Sequence, residues 1–427
     1  MTQSATQLVQ MEKAVYGGAC LARVEGKAVF VPLTLPGEQT RVRVVEDKRS
    51  YATAEVEEIV AASPERVAAA CPHFGACGGC HYQHAGYDAQ LALKQSVLQE
   101  TLERAGVDVP GAMARLAAAP WGYRNRIRLA FDAHGNLGYR GRRSHAVVPI
   151  RQCPIAAPVL VEAAQAFAEA ARRTAPAMRM AELALFCDAA ETAVLATVFT
   201  ASAAKVRLEA LATAVQARVP ALRGLELVVE GHGRQLARTV ARWGASSLTY
   251  SAAGFDYRVD HGAFFQVNRW LVDALVESVT AGHGGELAWD LFAGVGLFAR
   301  RLTQGFRRVV AVESAPSATA ALEHNLRGTA GECVRAETLA FLRRKASGQR
   351  PDLIVVDPPR NGLGAETTAL LVATGASAMV YVSCDPATLA RDLRALCDGG
   401  YALESVTLAD LFPQTFHLET VVRLRRA

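Results

Sequence analysis

The chain has 427 residues, 51% of them hydrophobic and 20% charged; this composition excludes a disordered chain, and the length predicts two or three domains of about 100–200 residues each. Its formal net charge of +5 permits a polyanionic partner without demonstrating one. No apolar run approaches the roughly 20 residues of a membrane span and the first residues lack a signal-peptide pattern, so we expect a cytoplasmic protein without a membrane partner.

Short strands separated by turns are predicted for the first segment, up to about Pro64. Apolar and polar residues alternate there, and Gly17-Gly18, Gly26 and Pro36-Gly37 provide the turns. We therefore expect a small β-barrel over residues 1–62. Its cationic side chains are equally consistent with a phosphate-binding surface and with a solvated rim; they are Arg41, Arg43, Lys48 and Arg49.

Three cysteines lie close together after this segment, at Cys71, Cys77 and Cys80, among several glycines. Cys153 is a candidate fourth ligand from a distant segment. Four thiolates suit either zinc or a 4Fe–4S cluster, and the spacing alone leaves both open. A disulfide framework is disfavoured because the cytosol is reducing.

A helix is predicted from about Tyr87 to Ala105, and an α+β region then continues to about residue 250. Alanine-rich stretches at 156–172 and 201–217 are typical of amphipathic helices that cover a sheet. If a strand begins near Trp121, alternate arginines share one of its faces. The arginines of this region are Arg124, Arg126, Arg128, Arg140, Arg142 and Arg143.

Alternating strands and helices are predicted for residues 251–427. The apolar runs ELAWDLF, RRVVAVES, PDLIVVDPP and SAMVYVSCD each end in polar residues or near glycine. Buried strands of a parallel sheet have this pattern, and ligands collect at their carboxyl ends. We therefore predict a doubly wound, Rossmann-like α/β domain.

A glycine loop follows the first of these runs, in Asp290-Leu-Phe-Ala-Gly294-Val-Gly296. Glycines at a strand-to-helix turn let the backbone approach a ligand closely, and Glu313 ends the next strand, where an acid would hold ribose hydroxyls. The loop also satisfies the G-x-G-x-x-A pattern, so a nicotinamide cofactor is an alternative. Asp290, four residues before Gly294, favours S-adenosylmethionine.

Two later strand ends carry reactive groups. Asp357 precedes a rigid Pro-Pro-Arg turn, and Cys384 lies just before a predicted helix, where partial positive charge lowers the pKa of a thiol. Glu419, near the C-terminus, is a candidate base, although its spacing alone favours a surface acid.

These groups suit methylation at C5 of uracil. Uracil C5 is too weak a nucleophile to attack a sulfonium methyl group, and a thiolate that adds to C6 makes C5 nucleophilic. A base must then remove the C5 proton before the thiolate can leave.

Ordered motifs along nearly the whole chain carry a family resemblance: the cysteine loop, GAFFQVN, DLFAGVG, DPPR, SCDP and FPQTFHLETV. The chain resembles the bacterial uracil-C5 RNA methyltransferases, most closely the iron–sulfur 23S ribosomal RNA enzymes with an N-terminal TRAM domain, an OB-like RNA-binding module. The resemblance implies that Cys384 is the nucleophile and Glu419 the base. It implies contacts to S-adenosylmethionine from Gln266, Phe292, Glu313 and Asp357.

The resemblance also implies the other ligands and partners. It implies that the four cysteines bind a structural 4Fe–4S cluster within a central domain, residues 63–250. It also implies that the arginines of this domain form an RNA-binding surface. Related transfer-RNA enzymes generally lack the cluster and the TRAM domain, so we expect a uridine of 23S ribosomal RNA and a monomeric enzyme. Two positions depart from the family: Ala293 replaces a common Cys and Leu297 a common Asn, so position 297 offers no side-chain hydrogen bond to the cofactor.

Three alternatives remain. The first is a transfer-RNA uracil-C5 methyltransferase. The second, from another class, is a nicotinamide-dependent iron–sulfur oxidoreductase, which leaves Cys384 and DPPR unexplained. The third is a non-catalytic RNA-binding module, in which Cys384 and Glu419 are dispensable.

Overall fold

The protein is described by a computed structural model that covers residues 6–174, 180–201, 208–229, 231, 237–346 and 348–427. Within these residues, no helix is both long and apolar enough to pass through a membrane.

The N-terminal segment forms one six-stranded sheet, in the order β1-β5-β6-β4-β3-β2. Its strands are β1 (Thr6–Gln10), β2 (Lys13–Ala14), β3 (Ala19–Val24), β4 (Lys27–Pro32), β5 (Gln39–Asp47) and β6 (Tyr51–Ala61). The strand-rich unit predicted up to Pro64 is thus confirmed. In β5, Val42 is buried while Arg41 and Arg43 are exposed and pair with acids on β6, so these two cations already have partners.

A seven-stranded sheet, in the order β10-β9-β8-β11-β12-β13-β14, forms the middle of the molecule. It is preceded by α1 (Tyr87–Arg104) and β7 (Ala114–Leu116). The elements of the middle region are β8 (Arg126–Phe131), β9 (Leu137–Arg140), β10 (Val147–Pro149), α2 (Pro158–Thr174), β11 (Met180–Cys187), β12 (Val194–Thr200), α3 (Leu208–Gln216), β13 (Leu222–Val229) and β14 (Arg238–Gly244).

The two alanine-rich helices are confirmed as α2 and α3, although part of the second predicted stretch, 202–207, lies outside the described residues. Phe167 of α2 and Leu211 of α3 belong to one buried cluster with Leu129 and Leu183 of the sheet. Side chains alternate between the two faces of a strand, so the residues next to Leu129 and Leu183 point to the other face.

The strand expected from Trp121 begins only at Arg126. Arg124 takes part in isolated bridges to Ala156 and Asn268 instead, because the backbone of residues 121–125 bonds to the chain around residues 154–157 and 267. Arg124 therefore does not share an exposed strand face with Arg126 and Arg128, and that part of the sequence prediction is wrong.

The C-terminal part begins with a hairpin, β15 (Ser247–Ala252) and β16 (Phe255–Asp260). The remaining elements are α4 (Val272–Thr280), β17 (Gly285–Leu291), α5 (Leu297–Leu302), β18 (Phe306–Glu313), α6 (Pro316–Asn325), β19 (Gly331–Arg335), α7 (Thr338–Lys345), β20 (Leu353–Val356), α8 (Ala365–Thr374), β21 (Ala378–Ser383), α9 (Pro386–Asp398), β22 (Tyr401–Ala409) and β23 (Glu419–Arg426).

These strands form an eight-stranded sheet, in the order β19-β18-β17-β20-β21-β23-β22-β7. Neighbours from β19 to β21 are parallel, and β23 is antiparallel to both β21 and β22. The predicted doubly wound α/β domain is confirmed. β17 lies between β18, the next strand in the chain, and β20, a later one. The strand order thus reverses at β17, so a ligand crevice is expected at the carboxyl ends of β17 and β20.

The N-terminal strand unit is packed onto this domain. Met11 and Val42 belong to the same buried cluster as Leu98 of α1 and Leu408 of β22. Removal of such apolar surface from water contributes about 25 cal/mol per Å², so the contact holds the strand unit close to the carboxyl ends of the sheet.

Candidate active site

Three strand ends bring the predicted reactive groups together. Asp290 lies near the end of β17, Asp357 follows β20 and Cys384 follows β21. The strands are in register, with Leu291 opposite Val356 and Val356 opposite Tyr381. The carboxyl ends of these parallel strands therefore meet at one edge of the sheet.

Asp290 supports the glycine loop from within the fold. It is fully buried, and its Oδ2 accepts a hydrogen bond of 2.8 Å from the backbone N–H of Ala299 in α5. Its Oδ1 has no hydrogen-bond partner among the described residues. Burial raises the pKa of Asp290 to about 8, as expected for a desolvated carboxyl group.

The glycine loop has a backbone that few residues could adopt. Phe292 has a φ of 65°, an uncommon value for a bulky side chain that marks a constrained site. Gly296 has a φ of 89°, and a Cβ there would lie 2.6 Å from the side chain of Leu322. Any other residue at position 296 would therefore be strained, which explains the second glycine of the motif.

Glu313 connects this loop to the next strand end. Its Oε2 accepts a hydrogen bond of 2.9 Å from the backbone N–H of Gly294, and its Oε1 accepts bonds of 2.7 Å from Ser314 and Ala315. The carboxylate thus bridges the two loops that border the crevice.

The crevice contains four of the seven residues predicted to bind the cofactor. Its lining includes Gln266, Phe292, Gly294, Asp357 and the aromatic rings of Phe264 and Phe265. Asp290, Gly296 and Glu313 lie outside this lining and shape the loop. Leu297 is buried, and its carbonyl oxygen accepts a hydrogen bond of 3.1 Å from Tyr257.

The side chains that line the crevice match the chemical groups of S-adenosylmethionine. Aromatic and aliphatic side chains suit an adenine ring, and exposed loop backbone beside a carboxylate suits its polar groups. The buried, unpartnered Oδ1 of Asp290 also leaves an acceptor available at the base of the loop.

Cys384 lies half-buried between β21 and α9. The cap of α9 is Asp385, which accepts hydrogen bonds of 3.0 Å from the backbone N–H groups of Ala387 and Thr388. Burial, and then the charges of Glu419 and Asp357, raise the pKa of the thiol to about 11. The predicted lowering of this pKa is wrong, because desolvation, followed by the neighbouring carboxyl groups, raises it.

Glu419 is the first residue of β23 and is only 5% exposed. Burial raises its pKa well above the usual range, the charge of Asp357 adds to the shift, and Arg360 opposes it. The interpretation of Glu419 as a surface acid, which its spacing alone favoured, is therefore wrong. Ser383 of β21 pairs with Thr420 of β23. Because these two strands are antiparallel, the residues directly beyond this pair are Cys384 on one strand and Glu419 on the other.

The contacts of Tyr16 and His417 in this part of the molecule were missed from the sequence. The hydroxyl of Tyr16 donates to the carbonyl oxygen of Cys384, and a guanidinium nitrogen of Arg360 lies 3.4 Å from Nδ1 of His417. Burial, together with neighbouring cations, lowers the pKa of His417 to about 3, so its ring is neutral at pH 7. His417 lies two residues before Glu419 in the FPQTFHLETV motif, whereas no sequence signal identifies Tyr16.

The four predicted cluster cysteines face one cavity of about 240 Å³. Cys71, Cys77, Cys80 and Cys153 all line it, and the charges of Cys71 and Cys153 contribute, after burial, to a raised pKa of Cys77. In the part of the chain that the structure describes, no group of three or more His, Cys, Asp or Glu side chains is arranged to hold a metal ion. The four cysteines thus share the lining of one cavity.

The predicted arginines divide among three places. Arg124 lines the cysteine cavity, Arg126 lines a second cavity, and Arg128 borders both. Arg140, Arg142 and Arg143 line a cleft of about 430 Å³ that the N-terminal strand unit closes with Gly17 and Gly18. Arg128 and Arg140 both pair with Glu182.

Comparisons with known proteins agree with this architecture. The TRAM domain family matches residues 2–56, and the tRNA (Uracil-5-)-methyltransferase family matches residues 346–427. The crystal structure of Pyrococcus abyssi tRNA (uracil-54, C5)-methyltransferase in complex with S-adenosyl-L-homocysteine has a TM-score of 0.78 and 24% identity, covering 98% of this chain and 100% of that one. The fold is that of an S-adenosylmethionine-dependent methyltransferase with an added TRAM domain.

Full-length relatives show the family. An uncharacterized RNA methyltransferase of Streptomyces avermitilis is 37% identical over 98% of this chain and 98% of its own. The 23S rRNA (uracil(1939)-C(5))-methyltransferase RlmD of Halomonas elongata is 33% identical over 96% of this chain and 87% of its own. The chain belongs to the family of S-adenosylmethionine-dependent RNA uracil-C5 methyltransferases, which confirms the enzyme class inferred from its motifs.

Proposed function

We propose that this enzyme methylates C5 of one uridine in 23S ribosomal RNA, with Cys384 as nucleophile and Glu419 as base. The observation that carries the proposal is the placement of Cys384 and Glu419 side by side, one residue beyond the Ser383–Thr420 pair of β21 and β23. A nucleophile and a base at adjacent strand ends can act on neighbouring carbons of one pyrimidine ring.

The chemistry balances with these two side chains. The thiolate of Cys384 forms a bond to C6, and the electrons of the C5–C6 double bond move to O4 as an enolate. The enolate returns its electrons through C5, which forms the new bond to the methyl carbon while the bond from that carbon to the sulfonium sulfur breaks and S-adenosylhomocysteine leaves with the electron pair. Glu419 then takes the C5 proton, the double bond re-forms, and the sulfur–C6 bond breaks.

Arg360 is placed to assist the first step. Its positive charge opposes the raised pKa values of both Cys384 and Glu419, so it favours the ionised forms of the nucleophile and the base. The contact between Arg360 and His417 holds the guanidinium group towards these side chains.

We propose that Gln266, Phe292, Gly294 and Asp357 contact S-adenosylmethionine, with Asp290, Gly296 and Glu313 shaping the site. S-adenosylmethionine supplies an electrophilic methyl group at the carboxyl ends of β17 and β20. The loop's left-handed residues and the buried carboxyl groups keep the crevice in place, and aromatic side chains form part of its wall.

We propose that the cysteine cavity holds a structural 4Fe–4S cluster. The four cysteines line one cavity of about 240 Å³ and offer the four thiolates that such a cluster requires. Cys71, Cys77, Cys80 and Cys153 would be the ligands. With all four sites bound by protein, the cluster would tie the glycine-rich loop to the distant segment around Cys153.

The choice of 23S ribosomal RNA is supported by the named relatives, whereas the fold neighbour is a transfer-RNA enzyme by its title. We propose a TRAM unit at residues 1–62, a central RNA-binding unit at 63–250 and a catalytic unit at 251–427, acting as a monomer in the cytoplasm. Arg126, Arg128, Arg140, Arg142 and Arg143 would contact RNA, while Arg124 supports the cysteine cavity.

The test is methylation by the purified protein of 23S ribosomal RNA fragments and of transfer RNA, both made without modifications. Nucleoside mass spectrometry with position mapping should find 5-methyluridine at one position of a ribosomal fragment. Methylation of transfer RNA with none of ribosomal RNA would contradict the substrate. Methylation at cytosine would contradict the reaction.

A further inference from the structure

A cavity of about 370 Å³ lies on the middle sheet, lined by Arg126, Phe186, Thr197, Phe199 and His261. Ile127 and Leu129 point towards α2 and α3. Because strand side chains alternate, Arg126 and Arg128 point to the opposite face. The cavity therefore belongs to the face of the sheet that α2 and α3 do not cover.

Arg126 is a cation for which the described residues offer no anion. Its Nε is buried and has no hydrogen-bond partner among the described residues, and no ion pair joins it to an acid there. Its guanidinium carbon lies 4.5 Å from the centre of the Phe186 ring, so the ring orients the group without neutralising it. Burial lowers the pKa of Arg126 to about 10, which reflects an unfavourable environment for the charge.

The other polar groups of the cavity are already engaged. Asp260 accepts from Arg258, with a nitrogen–oxygen distance of 2.6 Å. Nδ1 of His261 lies 3.1 Å from the hydroxyl of Thr197, and its Nε2 lies 3.3 Å from the carbonyl oxygen of Ala245. Arg128, which also lines the cavity, pairs with Glu182, so among the described residues Arg126 is the charged donor of the cavity that lacks an acceptor.

The cavity also adjoins the cofactor crevice. Gly262, in its wall, is followed closely by Phe264, which lines the crevice and is 60% exposed. The amide of Asn125, next to Arg126, donates to the carbonyl oxygen of Gln266 at 2.9 Å. An RNA strand whose uridine meets the methyl group at the edge of the cofactor crevice can therefore reach the cavity within a short distance.

We propose that this cavity binds one backbone phosphate of the RNA strand, with Arg126 as the donor. A buried, unpaired cation is costly, and a phosphate offers the acceptor oxygens that a guanidinium group binds in a fork. The inference rests on the proposed RNA substrate and assigns one arginine of the chain to one phosphate near the methylated uridine.

The experiment compares Arg126→Gln with Arg218→Gln. Arg218 follows α3, pairs with Glu169 and lines a different cavity. Arg218→Gln therefore removes one positive charge from the middle domain, as Arg126→Gln does, but away from the proposed phosphate site. Dissociation constants for a ribosomal RNA fragment are measured by fluorescence anisotropy over a range of salt concentrations. S-adenosylhomocysteine affinity and the thermal midpoint report on folding.

Arg126→Gln should raise the RNA dissociation constant about tenfold and reduce the slope of log affinity against log salt by about 0.7–0.9. Arg218→Gln should leave both near wild type. Equal slopes for wild type and Arg126→Gln would overturn the phosphate site. A wild type that binds this RNA without methylating it would instead contradict the proposed function, so the two failures are distinct.

A second measurement avoids the variant in case it does not fold. Phenylglyoxal modifies arginines, and the rate at Arg126 is read by peptide mass spectrometry with and without the RNA fragment. RNA should protect Arg126 and leave the rate at Arg218 unchanged. An equal rate at Arg126 in both samples would overturn the proposal.

Discussion

The hydroxyl of Tyr16 donates a hydrogen bond to the backbone carbonyl of Cys384, with 3.4 Å between the two oxygens. The residues are separated by 368 positions in the chain, and Tyr16 belongs to the N-terminal strand unit. Its ring also packs edge to face against Phe416, with 5.4 Å between ring centres. The N-terminal unit therefore borders Cys384, the proposed nucleophile, directly, in addition to closing the arginine cleft.

We predict that Tyr16→Phe lowers kcat about two- to tenfold, the range expected for one neutral hydrogen bond. S-adenosylhomocysteine affinity should not change, because Tyr16 is not among the residues lining the cofactor crevice. Tyr51→Phe is the control, since Tyr51 is exposed on β6. Single-turnover methylation measures the effect, and equal rates for Tyr16→Phe and wild type would contradict a positioning role.

Glu419→Gln should separate methyl transfer from product release. The amide cannot accept the C5 proton, so the sulfur–C6 bond should persist after one methyl transfer. We predict a protein–RNA complex that survives denaturing electrophoresis and contains the transferred methyl group. Glu404→Gln is the control, because Glu404 lies exposed on β22 in an ion pair with Arg425. Normal turnover by Glu419→Gln would assign proton removal to another group.

The rate should depend on pH through the thiol. Burial and the charges of Glu419 and Asp357 raise the pKa of Cys384 to about 11, so below that pH the thiolate fraction rises about tenfold per pH unit. We predict that log kcat/KM rises with a slope near one from about pH 7 to 9 without a plateau. Arg360→Gln should lower the rate throughout this window, because the Arg360 charge opposes the shift. A profile that is flat above pH 7 would contradict a protonated resting thiol.

The cysteine cavity leads to a prediction about metal content. Protein purified without oxygen should be brown and carry about four irons per chain. Replacing Cys71, Cys77, Cys80 or Cys153 by Ser should remove the colour. Cys397→Ser is the control, because Cys397 lies in α9, apart from the cavity lining. Colourless protein with one zinc per chain, from iron-supplemented cells, would contradict the cluster.

The strands that carry the site could be predicted from the sequence because each is an apolar run with a functional residue at its end. Asp290, Asp357 and Cys384 follow such runs, and parallel strands bring their ends together without further information. The glycine loop could also be predicted from the sequence, because a turn of this kind requires glycine. Gly296 adopts a φ of 89° next to Leu322, a conformation that would strain any other residue.

What the sequence could not predict depends on contacts between distant segments. Tyr16 reaches Cys384 only because the strand unit packs on the C-terminal domain, and no periodicity encodes that docking. The direction of the thiol pKa shift depends on the burial of Cys384 and on the positions of Glu419 and Asp357, none of which could be predicted from the sequence. Arg124 turned to the cysteine cavity because its backbone bonds to residues that follow Cys153.

The most direct test of covalent catalysis uses a ribosomal RNA fragment in which 5-fluorouridine replaces uridine. Fluorine at C5 cannot be removed as a proton is, so the adduct formed after methyl transfer should accumulate. Incubation with S-adenosylmethionine, nuclease digestion and peptide mass mapping should find a methylated fluorouridine nucleotide attached to Cys384, and Cys384→Ala should yield none. Methyl transfer to the normal fragment, with an adduct on another cysteine or with no adduct, would contradict the mechanism.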